Sequence, residues 1–311
     1  MKVLQVARLS GGLPSALRER FGARILPEHD REAFLRAHGS DVTVAVTTGV
    51  TGVDAGLLAA LPRLGAIVTC GVGYDATDLV AARARGVAIS NTPDMMNDCV
   101  ADLTVGLLID VFRRISASDR YVRAGKWATD GTFPLTRQVT GTRVGIVGLG
   151  RIGRAVADRL TGFRCAIRYH NRSRPADVPY PYASSVRQLA ADVDALIVTA
   201  AGGDASHHLV DRDVLDALGP DGVVINVGRG TIVDEEALVE ALVAGRVGGA
   251  GLDVYAHEPH VSAALRDHDN VVLTPHIGSA TIQSRQAMAD LVLRNIEEFL
   301  TSGRLVTPID A

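Results

Sequence analysis

The hexapeptide Gly148-Leu149-Gly150-Arg151-Ile152-Gly153 constrains this 311-residue chain more than any other stretch. It follows an apolar run, Val144-Gly145-Ile146-Val147, and opens a helix-like segment from Arg151 to Leu160. A strand, a G-x-G-x-x-G turn and a helix are the parts of a dinucleotide-binding βαβ unit. The first glycine makes the tight turn, the second lets the backbone approach a pyrophosphate, and the third permits close helix–strand packing. The phosphates then meet the positive end of the helix. The motif lies near the middle of the chain, so a segment of domain size precedes it. The length allows two domains at a typical ~150 residues each.

The first segment alternates apolar runs with helical stretches. Strands are expected at Val3–Ala7, Val42–Thr47, Ala66–Thr69 and Val87–Ser90, and helices at Leu13–Arg20, Asp54–Leu61 and Asp75–Arg85. A long helix is expected from Asn97 to Ala124, ended by Gly125, and then an irregular arm from Lys126 to Gly141 carrying Trp127 and Phe133. From Thr142 a second series begins, with strands at Arg143–Val147, Ala166–Tyr169, Ala195–Thr199, Val223–Val227, Gly249–Val254 and Val271–Leu273. Helices lie between most of them, including Arg151–Leu160 and Glu235–Ala244. Six strands suit two mononucleotide-binding halves. The last helix, Thr281 to Leu300, is too long for a crossover and can carry the chain back to the first domain. Alternation of this kind predicts an α/β fold with doubly wound parallel sheets.

With 32 basic and 35 acidic residues the net charge is −3, which gives no sign of a nucleic-acid or anionic-membrane partner. The longest apolar region, Val100 to Ile115, is interrupted by Asp102 and Asp110 and reads as a buried helix rather than a membrane span. Cys70, Cys99 and Cys165 are an odd set without C-x-x-C spacing, expected as buried free thiols. The start, Met1 to Val6, reads as a first strand rather than a signal peptide, so a cytoplasmic location is expected. No His/Cys/Asp group has metal-site spacing, and no serine sits in a nucleophile elbow.

In NAD-binding units an acid follows the glycines by about 20 residues and bonds the ribose 2′-hydroxyl. Here the region reads Tyr169-His170-Asn171-Arg172-Ser173-Arg174, with no acid before Asp177. Arg172 can bind a 2′-phosphate bidentately, and Asn171 and Ser173 can donate hydrogen bonds to it. The expected cofactor is NADP(H), with NAD(H) at lower preference.

Three polar residues follow strand ends in the second series: Arg229 in Asn226-Val227-Gly228-Arg229-Gly230, Glu258 in His257-Glu258-Pro259, and His276 in Thr274-Pro275-His276-Ile277-Gly278. The carboxyl ends of strands are where ligands bind in open α/β sheets. These types suit hydride transfer to a 2-keto acid. An arginine fork holds the carboxylate and polarises the carbonyl. A histidine protonates the forming alkoxide, and a carboxylate beside it orients it. Any one of the three alone reads more simply as a loop residue. Three at successive strand ends beside a nucleotide fingerprint do not.

Several blocks together make the chain resemble the D-isomer-specific 2-hydroxyacid dehydrogenase family: Gly71-Val72-Gly73-Tyr74-Asp75, Asn91-Thr92-Pro93, Val147 to Gly153, Asn226 to Gly230, Leu252-Asp253-Val254 with Glu258-Pro259, and Thr274 to Thr281. The resemblance implies a flavodoxin-like substrate domain from both chain ends (1–96 and 283–311) and a central Rossmann cofactor domain (97–282). It implies that Arg229 binds the keto acid, that His276 is the acid/base, and that Glu258 pairs with it. It places Val72 and Gly73 as backbone donors to the substrate carboxylate, Asp253 near the nicotinamide carboxamide, and Thr104 and Val227 near the cofactor with Gly148 to Gly153. Asn171 to Ser173 is similar to the NADPH-dependent glyoxylate/hydroxypyruvate reductase branch. Substrate size is expected to depend on Thr48 to Thr51, Tyr74 and Phe133, and a homodimer is implied. A reductase of larger keto acids such as hydroxyphenylpyruvate is the nearest alternative. A nicotinamide-sensing corepressor is the alternative outside enzymology.

Overall fold

The computed structural model describes residues 2–309; Met1, Asp310 and Ala311, which the expected domain limits included, lie outside the described residues. The chain divides into two compact units, Met1–Met95 with Thr281–Ala311, and Met96–Ala280. These limits differ from the expected ones by one residue at the first junction and two at the second.

Unit 1 begins with β1 (Val3–Gln5), α1 (Leu13–Phe21), β2 (Arg24–Ile25), α2 (Arg31–His38), β3 (Val44–Thr48), α3 (Ala55–Ala60), β4 (Ala66–Cys70), α4 (Leu79–Ala84) and β5 (Ala88–Ser90). Its sheet is parallel throughout, in the order β2-β1-β3-β4-β5. That is the flavodoxin-like order. Alternate strand residues face opposite helical layers: Ala45, Ile67 and Ile89 pack with Leu57, Leu58 and Leu61, whereas Val44, Val46 and Val68 pack with Leu13 and Leu17. Burial on both faces is why these strands read as continuous apolar runs. The expected helix from Asp75 begins only at Leu79, because Asp78 caps it by accepting the N–H of Ala81 at 2.9 Å. Neither β2, two exposed residues, nor α2, which has no fully buried side chain, was expected.

Unit 2 comprises α5 (Asn97–Arg113), α6 (Ile115–Arg123), α7 (Lys126–Thr129), β6 (Arg143–Val147), α8 (Arg151–Thr161), β7 (Ala166–His170), α9 (Val186–Ala191), β8 (Ala195–Val198), α10 (Arg212–Leu218), β9 (Val223–Asn226), α11 (Glu235–Val243), β10 (Gly249–Leu252), α12 (Ala263–Arg266) and β11 (Val271–Leu273). All pairings are parallel, in the order β11-β10-β9-β8-β6-β7. All six expected strands are present; on the outer edge of β7 there is in addition only a bridge, Tyr169 to Tyr182, with no helix between them. That bridge occupies the third-strand position of the Rossmann order in rudimentary form.

The expected helix 97–124 is broken. Arg114 turns left-handed at φ 52°, and the Asp110 carboxylate accepts both the N–H and the hydroxyl of Ser116, capping a new helix from the preceding turn. The arm from Lys126 is not wholly irregular, since it opens with the single turn α7. Gly249 and Gly251 let α5 lie close on the sheet, where Cβ atoms would meet Val111 and Leu107 at 3.0 and 3.2 Å. The last helix, α13 (Ile282–Ser302), returns to unit 1 and covers Val44, Val46 and Val68 with Val292, Leu293 and Ile296. Among the described residues no helix is long and apolar enough to cross a membrane, and no His/Cys/Asp/Glu group is arranged to hold a metal. Among the described residues the three cysteines form no disulfide; Cys99 is buried, whereas Cys70, the last residue of β4, and Cys165, just before β7, are half-buried.

Candidate active site

The glycine turn in unit 2 divides its tasks among three positions. Gly148 has φ 95°, and a Cβ there would lie 2.5 Å from the Cα of Ala200. Gly153 lies against the turn itself, where a Cβ would meet the Gly148 carbonyl at 2.5 Å. Around Gly150, the N-cap of α8, nothing comes within 4 Å of a Cβ position, which leaves the helix N-terminus open to a close-approaching anion. Leu149 is buried, and Arg151 and Ile152 begin α8. From the neighbouring strand end Asn171 clamps the turn, its Oδ1 accepting the N–H of Leu149 at 2.6 Å. The carboxamide oxygen is thereby committed, and only Nδ2 of Asn171 remains to donate to a ligand. Arg172 and Ser173 are exposed beyond it. Arg174 lies over the Tyr182 ring at 5.7 Å, while Arg172 has no ion-pair or ring partner among the described residues.

Arg229 leaves β9 through a loop that Asn226 staples. Buried Asn226 accepts the N–H of Gly228 at 3.1 Å and donates to the Arg229 carbonyl at 3.0 Å. One guanidinium nitrogen of Arg229 donates to the Gly228 carbonyl at 2.7 Å. Gly230 must be glycine, since a Cβ would fall 1.9 Å from the Tyr255 carbonyl carbon. Val227 is buried beside this loop, its N–H donated to Val198.

His276 and Glu258 meet. The imidazole Nδ1 lies 2.6 Å from Glu258 Oε2, and Oε1 accepts the N–H of Tyr255 at 3.1 Å. With Nδ1 engaged, Nε2 is the position left for a substrate. His276 has φ 52°, a conformation costly for a residue with a side chain. Asp253, only 2% exposed, holds it in place. One carboxylate oxygen accepts the Thr274 hydroxyl at 2.6 Å and the Ile277 N–H at 2.8 Å; the other accepts the Gly278 N–H at 2.8 Å. The Tyr255 hydroxyl adds a bond to the Thr274 carbonyl at 2.8 Å. Burial, with Asp253 nearby, pushes that phenol up to about 12, so it stays a donor at any working pH. Asp253, Asn226 and Tyr255 are thus loop supports that the strand-end pattern did not mark. Thr104 lies buried in α5 and spends its hydroxyl hydrogen on the Val100 carbonyl at 2.7 Å.

Burial is the largest influence on Glu258 and raises its pKa. It is outweighed by the hydrogen bond and charge of His276, the Tyr255 N–H and the charge of Arg229, which together hold the carboxyl below its ordinary value. A carboxyl lowered on folding adds stability above its unfolded value of 4.5 and loses it as pH falls through the lower folded value. Unfolding monitored against pH is therefore expected to show a Glu258-dependent loss only below 4.5, absent in Glu258→Gln; a loss unchanged in that variant would sink the assignment.

Arg229, Glu258 and His276 therefore project from carboxyl ends of the same sheet whose first turn carries the glycines. Residues 105–278 match the profile of the D-isomer specific 2-hydroxyacid dehydrogenase NAD binding domain. The chain belongs to the D-isomer specific 2-hydroxyacid dehydrogenases. It is 43% identical over 308 residues to glyoxylate/hydroxypyruvate reductase A of Arabidopsis thaliana, covering 99% of this chain and 98% of that one. It is 44% identical, with the same coverage, to hydroxyphenylpyruvate reductase of Plectranthus scutellarioides. Among solved structures it is similar to the NADPH-dependent glyoxylate/hydroxypyruvate reductase of Sinorhizobium meliloti in complex with NADP and malonate, with a TM-score of 0.94, 39% identity and coverage of 99% of this chain and 97% of that one. As a member of these dehydrogenases the chain is an oxidoreductase. The residues matched to the NAD binding domain all fall inside unit 2.

Proposed function

We propose that this chain reduces small 2-keto acids, glyoxylate and hydroxypyruvate, to D-2-hydroxy acids with NADPH. The observation that carries the reading is the His276–Glu258 pair at 2.6 Å, with the charge of Arg229 acting on it. NADPH, when bound, supplies the hydride that goes to C2 of the keto acid. Arg229 binds the carboxylate and polarises the carbonyl. Protonated His276 delivers its proton from Nε2 to the carbonyl oxygen as the hydride arrives, and Glu258 keeps Nδ1–H fixed meanwhile. In the oxidation direction neutral His276 takes the hydroxyl proton back. The same reading assigns the backbone N–H groups of Val72 and Gly73 to the carboxylate, and Thr104, Val227 and Asp253 to the nicotinamide end of the cofactor.

Preference for NADPH rests on the exposed Arg172 and Ser173 and on the missing acid after β7. Arg172→Ala is expected to raise KM for NADPH about tenfold, the size of one lost charge-assisted contact, with KM for NADH unchanged. Equal effects on both cofactors would remove Arg172 from the 2′-phosphate. A steady-state panel of both cofactors against glyoxylate, hydroxypyruvate and hydroxyphenylpyruvate tests the whole reading. Highest kcat/KM for hydroxyphenylpyruvate would favour the larger-substrate alternative, to which the similarity of the Plectranthus scutellarioides reductase points. No turnover, with nucleotide-dependent partner binding, would favour a sensing role.

A homodimer belongs to the same proposal, supported by the exposed apolar side chains Ile115, Val122, Trp127 and Leu135 along α6, α7 and the following arm. The free cysteines are in keeping with a cytoplasmic setting.

A further inference from the structure

In unit 1 the segment after β4 carries two backbone donors with nothing to donate to. Among the described residues no acceptor meets the N–H of Val72 or of Gly73. Their neighbours on the chain, by contrast, are held firmly. The Gly71 carbonyl accepts the N–H of Thr92 at 2.9 Å, and the Gly71 N–H donates to the Thr92 hydroxyl at 3.0 Å. The Val72 carbonyl accepts the side-chain amide of Asn91 at 2.7 Å. A peptide unit is planar and trans, so its C=O and N–H point in opposite directions. Fixing the Gly71 carbonyl therefore aims the Val72 N–H, and fixing the Val72 carbonyl aims the Gly73 N–H.

Asn91 is itself locked from the C-terminal segment. Its carbonyl accepts the Thr307 hydroxyl at 2.7 Å, and that hydroxyl oxygen accepts the Asn295 side-chain amide at 3.1 Å. Asn295 is fully buried in α13, and its Oδ1 takes the N–H groups of Val306 and Thr307. Ile309 pairs with Ile89 beyond it.

We propose that Asn91 and Thr92 are positioning residues that aim the Val72 and Gly73 N–H groups at a substrate carboxylate, with Thr307 and Asn295 holding Asn91 in register. This rests on the keto-acid reading above. Two successive, unspent N–H groups can form an anion cradle, and they do so only while the opposite carbonyls are tied. Neither Asn91 nor Thr307 touches substrate in this scheme.

The test uses glyoxylate as substrate and oxamate, a carboxylate that cannot be reduced, as a dead-end ligand on the full chain with NADPH. Asn91→Ala is expected to raise KM for glyoxylate and Ki for oxamate together by about tenfold, the upper range for one lost hydrogen bond. On the same basis kcat should stay within about twofold, and KM for NADPH should not move. Thr307→Val, which keeps the side-chain volume, is expected to shift both constants in the same direction by about threefold, as a weaker indirect loss. Unchanged KM and Ki in a wild type that turns over glyoxylate would overturn this inference alone. A fall in kcat with unmoved oxamate affinity would also overturn it, since that is what a general structural role predicts. No keto-acid turnover in the wild type would remove the functional reading and this inference with it.

Discussion

His276→Ala is expected to lower kcat for glyoxylate reduction by ~10²–10⁴ while NADPH binds as before, the range for losing a positioned general acid. The size follows from geometry. Nδ1 is held 2.6 Å from Glu258, so Nε2 is the one ring nitrogen left for the proposed proton transfer, and no other histidine shares that loop. Removing the ring leaves water to protonate an alkoxide, and water is neither positioned nor matched in acidity. The glycine turn lies on another loop, clamped by Asn171, so fluorescence titration with NADPH should give the wild-type Kd. Near-normal turnover would remove His276 from the chemistry. Lost NADPH binding would mean that the substitution had collapsed the loop tied to Asp253.

Arg229→Lys is expected to lower kcat/KM for the keto acid by ~10²–10³ although the charge is kept, because lysine cannot present a planar pair of donors. Arg229→Ala is expected to lose ~10²–10⁴, equivalent to two charge-assisted bonds at ~1.5–3 kcal/mol each. The loop itself should survive either change. Asn226 holds it through backbone atoms, and Gly230 seats it against Tyr255. Steady-state kinetics together with a melting curve separate the cases. A Lys variant with wild-type kcat/KM would show that Arg229 supplies charge alone. A large drop in Tm would show that its effect is structural.

Most strands of both sheets were legible because they are covered on two faces and therefore apolar at nearly every position. The break at Arg114 was not, since no glycine or proline marks it. It depends on Asp110 reaching Ser116, an arrangement that a hydrophobic pattern does not encode. Two exposed residues in β2 and a rudimentary strand at Tyr182 are too short for periodicity to register. At the site, Arg229, Glu258 and His276 could be picked out because polar residues just past apolar strands are conspicuous. Asp253 was marked only for a cofactor contact. Its hold on Ile277 and Gly278 joins positions 24 and 25 residues apart and shows only once β10 and β11 lie side by side. The bond from the Leu149 N–H to the Asn171 oxygen, 22 residues apart, likewise shows only once β6 and β7 lie side by side, and it leaves Nδ2 as the donor.

Unit 1 is assembled from two pieces with unit 2 between them, and that order sets a schedule during synthesis. The face of its sheet formed by Val44, Val46 and Val68 is covered by α13, which follows 185 residues after the first piece ends, as residues 96–280 intervene. At ~5–20 residues per second the ribosome needs roughly 10–40 s to make them. Unit 2 emerges whole and can close its own core in that interval. The nascent sheet of unit 1 meanwhile has that face covered by Leu13 and Leu17 of α1 alone, with the part that Val292, Leu293 and Ile296 will cover still exposed.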